Sequence, residues 1–405
     1  MDPPNSASNI PILKYEKVYT HQITDEQATA SPLLRALALS PDGQYVAGAF
    51  DRHVTIWRFT TNQDDDEEAG EEFREILNYR IDQRSTLEEI TSLSWTKTGY
   101  ILIGSNVGDV KIVLLNDEET ILKGFQVSNQ SVKFMMLDQE GDTLAVVAGS
   151  SEIGIWKWLK TDDCWTKLHF LPQPEPRLAS DDIVEVTSIH WDPSGGKALI
   201  VSYLNHGILK WDVESRLYQC LLTLDKVYGG ALSLDGRHFA VPNRKGTFDI
   251  YDLSSRDKLD WFNDPDLQDD QKNVGLRTRP GIFIHGGRYF VGASFGKVNI
   301  WNTARSIRGQ RLSLAKQFTS AQVTLLAVSD TSSENLISGY RIAACTQGPR
   351  QEIDIWKASG RGYVPSVQVN ERLESAGGTS SKLVTGMLIG GLAVHAAGAG
   401  YLGLF

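Results

Sequence analysis

Val54-Thr55-Ile56-Trp57 alternates apolar and polar residues and ends on an aromatic ring. The pattern returns as Ile153-Gly154-Ile155-Trp156, Val298-Asn299-Ile300-Trp301 and Ile353-Asp354-Ile355-Trp356. Looser copies end at Val113, Trp211 and Tyr251, so seven copies recur at intervals of 40 to 56 residues. A side-chain period of two belongs to a strand, and its recurrence at this interval predicts an array of small sheets. Each sheet must lean on its neighbours, so 405 residues make one repeat domain instead of two or three independent ones.

A second landmark keeps the same register. Ser40-Pro41-Asp42-Gly43 is strong turn chemistry, because Pro presets φ, Asp bonds back to the backbone and Gly accepts a positive φ. Turn glycines recur at Gly99, Gly141, Gly195, Gly236 and Gly287, each 14 to 16 residues before the end of a third strand. The seventh unit, with Val323, Leu325, Ala327 and Ile342-Ala343-Ala344, lacks this glycine. More polar runs at 73–77, 120–122, 165–168, 217–221, 258–261 and 312–314 read as outer strands with one edge in water. Each unit is then four strands. Six outer strands serve seven units, and the orphan run 12–23 is expected to supply the seventh by pairing with the last unit. The rival arrangement is a ring of six, with 322–358 an appendage.

These turns, the Asp192-Pro193-Ser194-Gly195 variant, Trp211-Asp212 and the repeated Ile-Trp endings resemble the WD40 repeat family over about residues 12–364. The resemblance implies an all-β, seven-bladed β-propeller of four-stranded blades, closed by the N-terminal strand. The family's Gly-His pair is missing, and its turn aspartate survives clearly only as Asp51, with Val107, Lys245 and Phe295 elsewhere. Ala30 stands near the place of the family's histidine, so Asp51 is expected to lack its usual partner. The blades should then rely on apolar packing, with Trp57, Trp156, Trp211, Tyr251, Trp301 and Trp356 as structural core.

In the family, partners bind on the face lined by the turns between second and third strands and the connections between blades. Those turns place Arg52, Asn106, Tyr203, Arg244, Lys245 and Phe295 on that face. Arg and exposed aromatic residues are the best interface anchors. The basic group Arg52, Arg244 and Lys245 suits an acidic or phosphorylated peptide. The acidic stretch 61–72 reads as a solvated loop, or as a docking loop for a basic partner, and the acidic connections 172–185 and 262–279, where solvated charge is the default, line the same face as those turns.

The net charge of −10 argues against nucleic acid as a partner. Three separated cysteines and scattered histidines give no disulfide framework and no metal or cofactor site. No GxSxG elbow or P-loop occurs, and His190 reads as a packed histidine, so the chain is read as non-enzymatic.

Residues 1–11 read as a flexible lead and 365–382 as a polar linker. Residues 383–405 carry no formal charge with His395 neutral. As a helix they would span about 34 Å, enough for a hydrocarbon core of about 30 Å. Lys382 and Arg372 flank the near side, so this C-terminal hydrophobic helix is expected to cross an internal membrane with the propeller in the cytosol. Six glycines in the span argue against a packed water-soluble helix. Three readings follow: a membrane-tethered scaffold for other proteins, a soluble subunit of a multiprotein complex, and a propeller enzyme.

Overall fold

The computed structural model describes residues 14–23, 33–61, 71–80, 88–115, 122–161, 164–175, 183–195, 197–262, 264, 279–304, 307–314, 322–329, 340–346 and 351–359. All lie in the unit Met1–Val364. The unit Pro365–Phe405, with the expected linker and apolar span, lies outside the described residues.

Among the described residues, seven four-stranded antiparallel sheets follow one another along the chain. β1 (Lys14–Gln22) stands apart in sequence. Blade 1 is β2 (Leu34–Leu39), β3 (Tyr45–Phe50), β4 (His53–Thr61) and β5 (Glu71–Arg80). Blade 2 is β6 (Ile90–Trp95), β7 (Tyr100–Ser105), β8 (Asp109–Leu114) and β9 (Leu122–Gln126). Blade 3 is β10 (Val132–Leu137), β11 (Thr143–Ala148), β12 (Glu152–Leu159) and β13 (Cys164–Leu171). Blade 4 is β14 (Val186–Trp191), β15 (Ala198–Tyr203), β16 (Gly207–Asp212) and β17 (Tyr218–Leu222). Blade 5 is β18 (Ala231–Leu232), β19 (His238–Pro242), β20 (Phe248–Asp252) and β21 (Lys258–Phe262). Blade 6 is β22 (Gly281–Ile284), β23 (Tyr289–Ala293), β24 (Lys297–Asn302) and β25 (Ile307–Ser313). Blade 7 is β26 (Val323–Val328), β27 (Arg341–Thr346) and β28 (Glu352–Ser359), with β1 as its outer strand. The molecule is a seven-bladed β-propeller, and residues 322–358 belong to the ring.

The repeated turn earns its place by side-chain bonding. Ser40 Oγ donates to Asp42 at 2.6 Å and accepts from the Tyr45 N–H at 2.9 Å, while Gly43 takes φ of 70°. Ser233, Asp235 and His238 repeat the arrangement in blade 5, with Gly236 at φ 71°.

Seven apolar clusters fill the seven seams between blades. Trp57 packs against Ile353 and Ile355 of blade 7, and Trp156 against Leu102 and Ile112 of blade 2. Trp211 meets Ala145 and Ile155 of blade 3, Tyr251 meets Ile208 of blade 4, and Trp301 meets Phe248 of blade 5. Trp356 meets Val291 and Ile300 of blade 6. Every third-strand aromatic therefore reaches back onto the preceding blade. Burial of a Trp side chain this way is worth about 3–5 kcal/mol against truncation to Ala.

The ring closes as expected from the sequence. β1 pairs with β28 from Lys14↔Ser359 to Gln22↔Glu352. Lys17 Nζ lies 2.8 Å from Asp354, whose side chain is wholly buried, and Thr20 Oγ1 donates to the same carboxylate at 2.5 Å. The Tyr15 phenol lies 2.7 Å from His285 Nε2 of blade 6.

Three local expectations are corrected. The outer strand of blade 2, expected at 120–122, runs instead over Leu122–Gln126 among the described residues and brings Phe125 onto Trp156 at 4.5 Å; residues 120 and 121 lie outside the described residues. The run 312–314 is only the end of β25, which starts at Ile307 and follows β24 back to Asn302. Glu71 and Glu72 lie in β5, not in a solvated loop. Glu71 accepts from Arg341 and Lys357 of blade 7, both at 2.7 Å. Arg35 Nε donates to Asp51 at 2.8 Å, a partner other than the family's histidine.

Candidate functional site

Strand direction alternates within each blade. The turn from second to third strand and the connection into the next blade therefore share one end of the sheet. At that end, five of the inner strands carry a β-bulge, centred on Arg35, Thr91, Lys133, Thr187 and Thr324. A bulge re-aims one side chain out of the ladder. Three of these reach across a seam. Arg35 Nη2 lies 3.9 Å from Glu89, Thr91 Oγ1 donates to the Val132 carbonyl at 2.6 Å, and Lys133 Nζ donates to Glu185 at 3.3 Å. These half-exposed pairs stitch blades 1 to 4 together, each worth about 0–1 kcal/mol.

The six residues placed on this face by sequence separate into distinct roles. Arg52 is exposed in the β3–β4 turn. Asn106 is engaged within blade 2, its Oδ1 accepting from the Glu89 N–H at 2.8 Å. Tyr203 is not a surface anchor: it is 1 % exposed, and its phenol accepts from Trp211 Nε1 at 3.0 Å. Burial pushes that phenol's pKa well above its ordinary value. Phe295 is half-buried beneath Arg279, whose guanidinium carbon stands 5.0 Å from the ring centre. Arg244 and Lys245 are both exposed and adjacent in the β19–β20 turn of blade 5. Ring order puts blades 6 and 7 between them and Arg52, so the three do not form one basic cluster.

Arg244 and Lys245 line a cavity of about 300 Å³ with Asn243, Asp249 and Lys258. Asn243 holds the turn. Its Oδ1 accepts from the N–H groups of Lys245 at 3.0 Å and Thr247 at 3.1 Å, and Gly246 takes φ of 80°. Asn243 Nδ2 donates to Asp249 at 2.7 Å, and Lys258 Nζ pairs with Asp249 at 2.8 Å. From blade 6, Arg279 donates to the Gly246 carbonyl. The result is a braced turn presenting cations.

A second polar centre was hidden in the acidic connection. Asp264 has a side chain only 1 % exposed. It accepts from Lys297 at 3.0 Å, Asn299 at 3.0 Å, Ser294 at 3.2 Å and Arg308 at 3.2 Å. These four partners lie on or beside strands of blade 6, so Asp264 itself is anchored to that blade.

His190 is a packed histidine: Nε2 lies 3.0 Å from the Gly230 carbonyl, and the ring stands edge-on to Phe239. Burial lowers its pKa to about 4. Among the described residues, no group of His, Cys, Asp and Glu side chains is placed to hold a metal ion. Among them also, no helix is long and apolar enough to cross a membrane.

No family model matches the chain, and a search of curated proteins returns no match.

Proposed function

We propose that the chain is a WD40-type scaffold that binds other proteins without catalysis, through the face where Arg244 and Lys245 project. The observation that carries this reading is the braced β19–β20 turn, which holds two exposed cations beside a cavity on a protein of net charge −10. Fixed cationic anchors reduce the ordering cost of binding. Proximity labelling with the full chain, beside an Arg244→Glu/Lys245→Glu version, tests it. The double variant should lose partners that the parent labels, and an unchanged partner set overturns the reading.

The uncharged run 383–405 supports a membrane tether with the propeller in the cytosol. Carbonate-washed membranes should retain the full chain and release a chain ending at residue 382. Equal retention removes the tether.

A second reading makes the propeller a soluble subunit of a larger assembly. It is favoured by apolar side chains on or beside the outer strands, with Ile76, Leu168, Leu217 and Leu259 exposed by 44, 51, 70 and 51 %. In that case the chain ending at residue 382 should co-fractionate with the full chain in one soluble complex.

A further inference from the structure

Two arginines hold a backbone conformation that glycine adopts more easily. Arg216, in the turn from β16 to β17, has φ of 60°, and Arg256, at the same place between β20 and β21, has φ of 65°. Each donates its N–H at 2.9 Å to the carbonyl of the aspartate that opens its turn, Asp212 or Asp252. A strained residue repeated in consecutive blades points to a use for its side chain. Both side chains are exposed, and neither makes a hydrogen bond or ion pair among the described residues.

Arg237 joins them. It is exposed, and its side chain is likewise unpaired among the described residues. Its carbonyl accepts from the Leu253 N–H at 2.8 Å, which ties its turn to that of Arg256. The Gly236 turn packs against Pro193 of blade 4, so the three arginines share one surface across blades 4 and 5. Leu234, 47 % exposed, adds an apolar contact. Most carboxylates of these turns are engaged. Asp212 accepts from the Ser215 N–H at 2.7 Å, and Asp252 from those of Ser254 and Ser255 at 2.8 and 2.9 Å. Asp235 accepts from the Arg237 N–H at 3.1 Å, and Glu214 pairs with Lys197. Asp257 stays exposed beside Arg256.

The complement to this surface is written in the same chain. Turns from first to second strand and from third to fourth strand share the end of each sheet opposite Arg244. The connection from β4 to β5 leaves that end of blade 1 and carries Asp64, Asp65, Asp66, Glu67 and Glu68. It joins Thr61 to its ladder partner Glu71, so the nine residues 62–70 reach at most about 16 Å from the strand ends. Ring order puts two blades between blade 1 and blade 4 one way round, and two between blade 1 and blade 5 the other way. At about 10 Å per packed sheet, the arginines are out of reach within one copy. They lie across the ring from blade 1. A two-fold axis parallel to the disc therefore carries each acidic connection onto the arginines of the other copy, and both contacts form at once.

We propose that two copies of this chain associate through this face, with the acidic connection 62–70 of each on Arg216, Arg237 and Arg256 of the other. Each guanidinium presents the planar fork that a carboxylate accepts. This face is opposite the one that carries Arg244, and the inference stands independently of the partner surface assigned there.

The test is sedimentation velocity of the full chain in a nonionic detergent, at about 50 and about 500 mM salt. The parent should sediment as two chains at the lower salt and as one at the higher. Arg216→Gly and Arg256→Gly suit the left-handed backbone, so melting temperatures at or above the parent's will certify these variants as folded. The axis repeats every contact, so each change removes two charge pairs. Dimerisation should weaken about 100-fold, at about tenfold per contact. Asp64→Asn/Asp65→Asn/Asp66→Asn should act in the same direction. Arg216→Glu/Arg256→Glu combined with Asp64→Lys/Asp65→Lys/Asp66→Lys exchanges the two charges and should associate again. Lys226→Glu, exposed on the opposite face, should behave as the parent does.

A parent that sediments as one chain at the lower salt overturns the proposal, as does association indifferent to both glycine changes. Association that survives those changes but is lost from a chain ending at residue 382 belongs to the tail and also overturns it. So does a charge exchange that leaves the chain monomeric, or a Lys226→Glu chain that dissociates as the arginine variants do. A monomeric parent that still labels partners through Arg244 and Lys245 sinks this inference and leaves the scaffold reading standing.

Discussion

Gln310 holds Tyr15 by both backbone groups: the Tyr15 N–H donates to Gln310 Oε1 at 2.8 Å, and Gln310 Nε2 donates to the Tyr15 carbonyl at 2.6 Å. The primary amide on β25 thus stands in for a strand residue and extends blade 6 onto the closing strand. Tyr15 is 3 % exposed, so removing the amide leaves two buried backbone groups unpaired. Gln310→Ala should cost about 2–6 kcal/mol at roughly 1–3 per orphaned group. Urea unfolding measures this, and deletion of residues 1–23 should cost more. An unchanged midpoint in the deletion would refute closure by β1.

Two tryptophans at equivalent places should respond differently to loss of the indole nitrogen. Trp211 donates to the Tyr203 phenol, while the Trp57 N–H is buried with no acceptor among the described residues. Both Trp→Phe changes remove volume from a seam, at about 1–3 kcal/mol. Trp211→Phe should cost about 1 kcal/mol more, because it also strands a buried phenol. Equal losses in thermal or chemical unfolding would show that the indole bond contributes nothing.

The blade 7 to blade 1 seam should be sensitive to one carboxylate. Glu71 pairs with both Arg341 and Lys357, and the Arg341 side chain is 6 % exposed. Glu71→Gln leaves that guanidinium without its charge partner, which should cost about 2–4 kcal/mol. Burial alone would raise the Glu71 pKa, but the Lys357 hydrogen bond and the Arg341 charge hold it below 4.5. Its contribution is therefore present above that pH and lost as pH falls through the lower folded value. The variant should flatten the acid limb of the unfolding midpoint.

Histidine titration should weaken the fold at milder acidity. Burial, with the Arg288 charge, takes His285 from 6.5 down to about 4, and burial takes His190 to about 4. Between pH 6.5 and 4 the unfolded chain binds these protons and the folded chain does not, so stability declines as pH falls. The slope is at most about 1.4 kcal/mol per pH unit for each site. His285 sits at φ of 52°, where Asn is well tolerated. His285→Asn should remove its share of the slope between pH 7 and 5.5, read from denaturation midpoints. An unaltered slope would show that His285 is protonated in the fold.

The blades were legible because their signals are local. Trp57, Trp156 and the turn glycines announce themselves within a few residues, and packing onto the preceding blade uses the same spacing each time. The face was legible only in part, because exposure depends on residues far away. Tyr203 looks like a turn residue until Trp211 and the blade 3 seam cover it. Phe295 looks like an anchor until Arg279 lies over it. Asp264 and Glu71 sit in acidic stretches that read as solvated, yet each meets cations brought in by the fold. Local windows cannot see charge pairing between residues 33 or 270 positions apart.

The closing strand also imposes a timetable. β1 leaves the ribosome first, but the Gln22 to Glu352 contact waits for a residue 330 positions later. At 5–20 residues per second, the wait is roughly 20–70 s. Throughout it, β28 does not exist and β1 has nothing to pair with. Its sequence suits that interval: Lys14, Glu16 and Lys17 put charge on the waiting strand, the kind of residue that discourages pairing with a stranger. The residues that later stitch the ring shut would thus first act as guards against premature association.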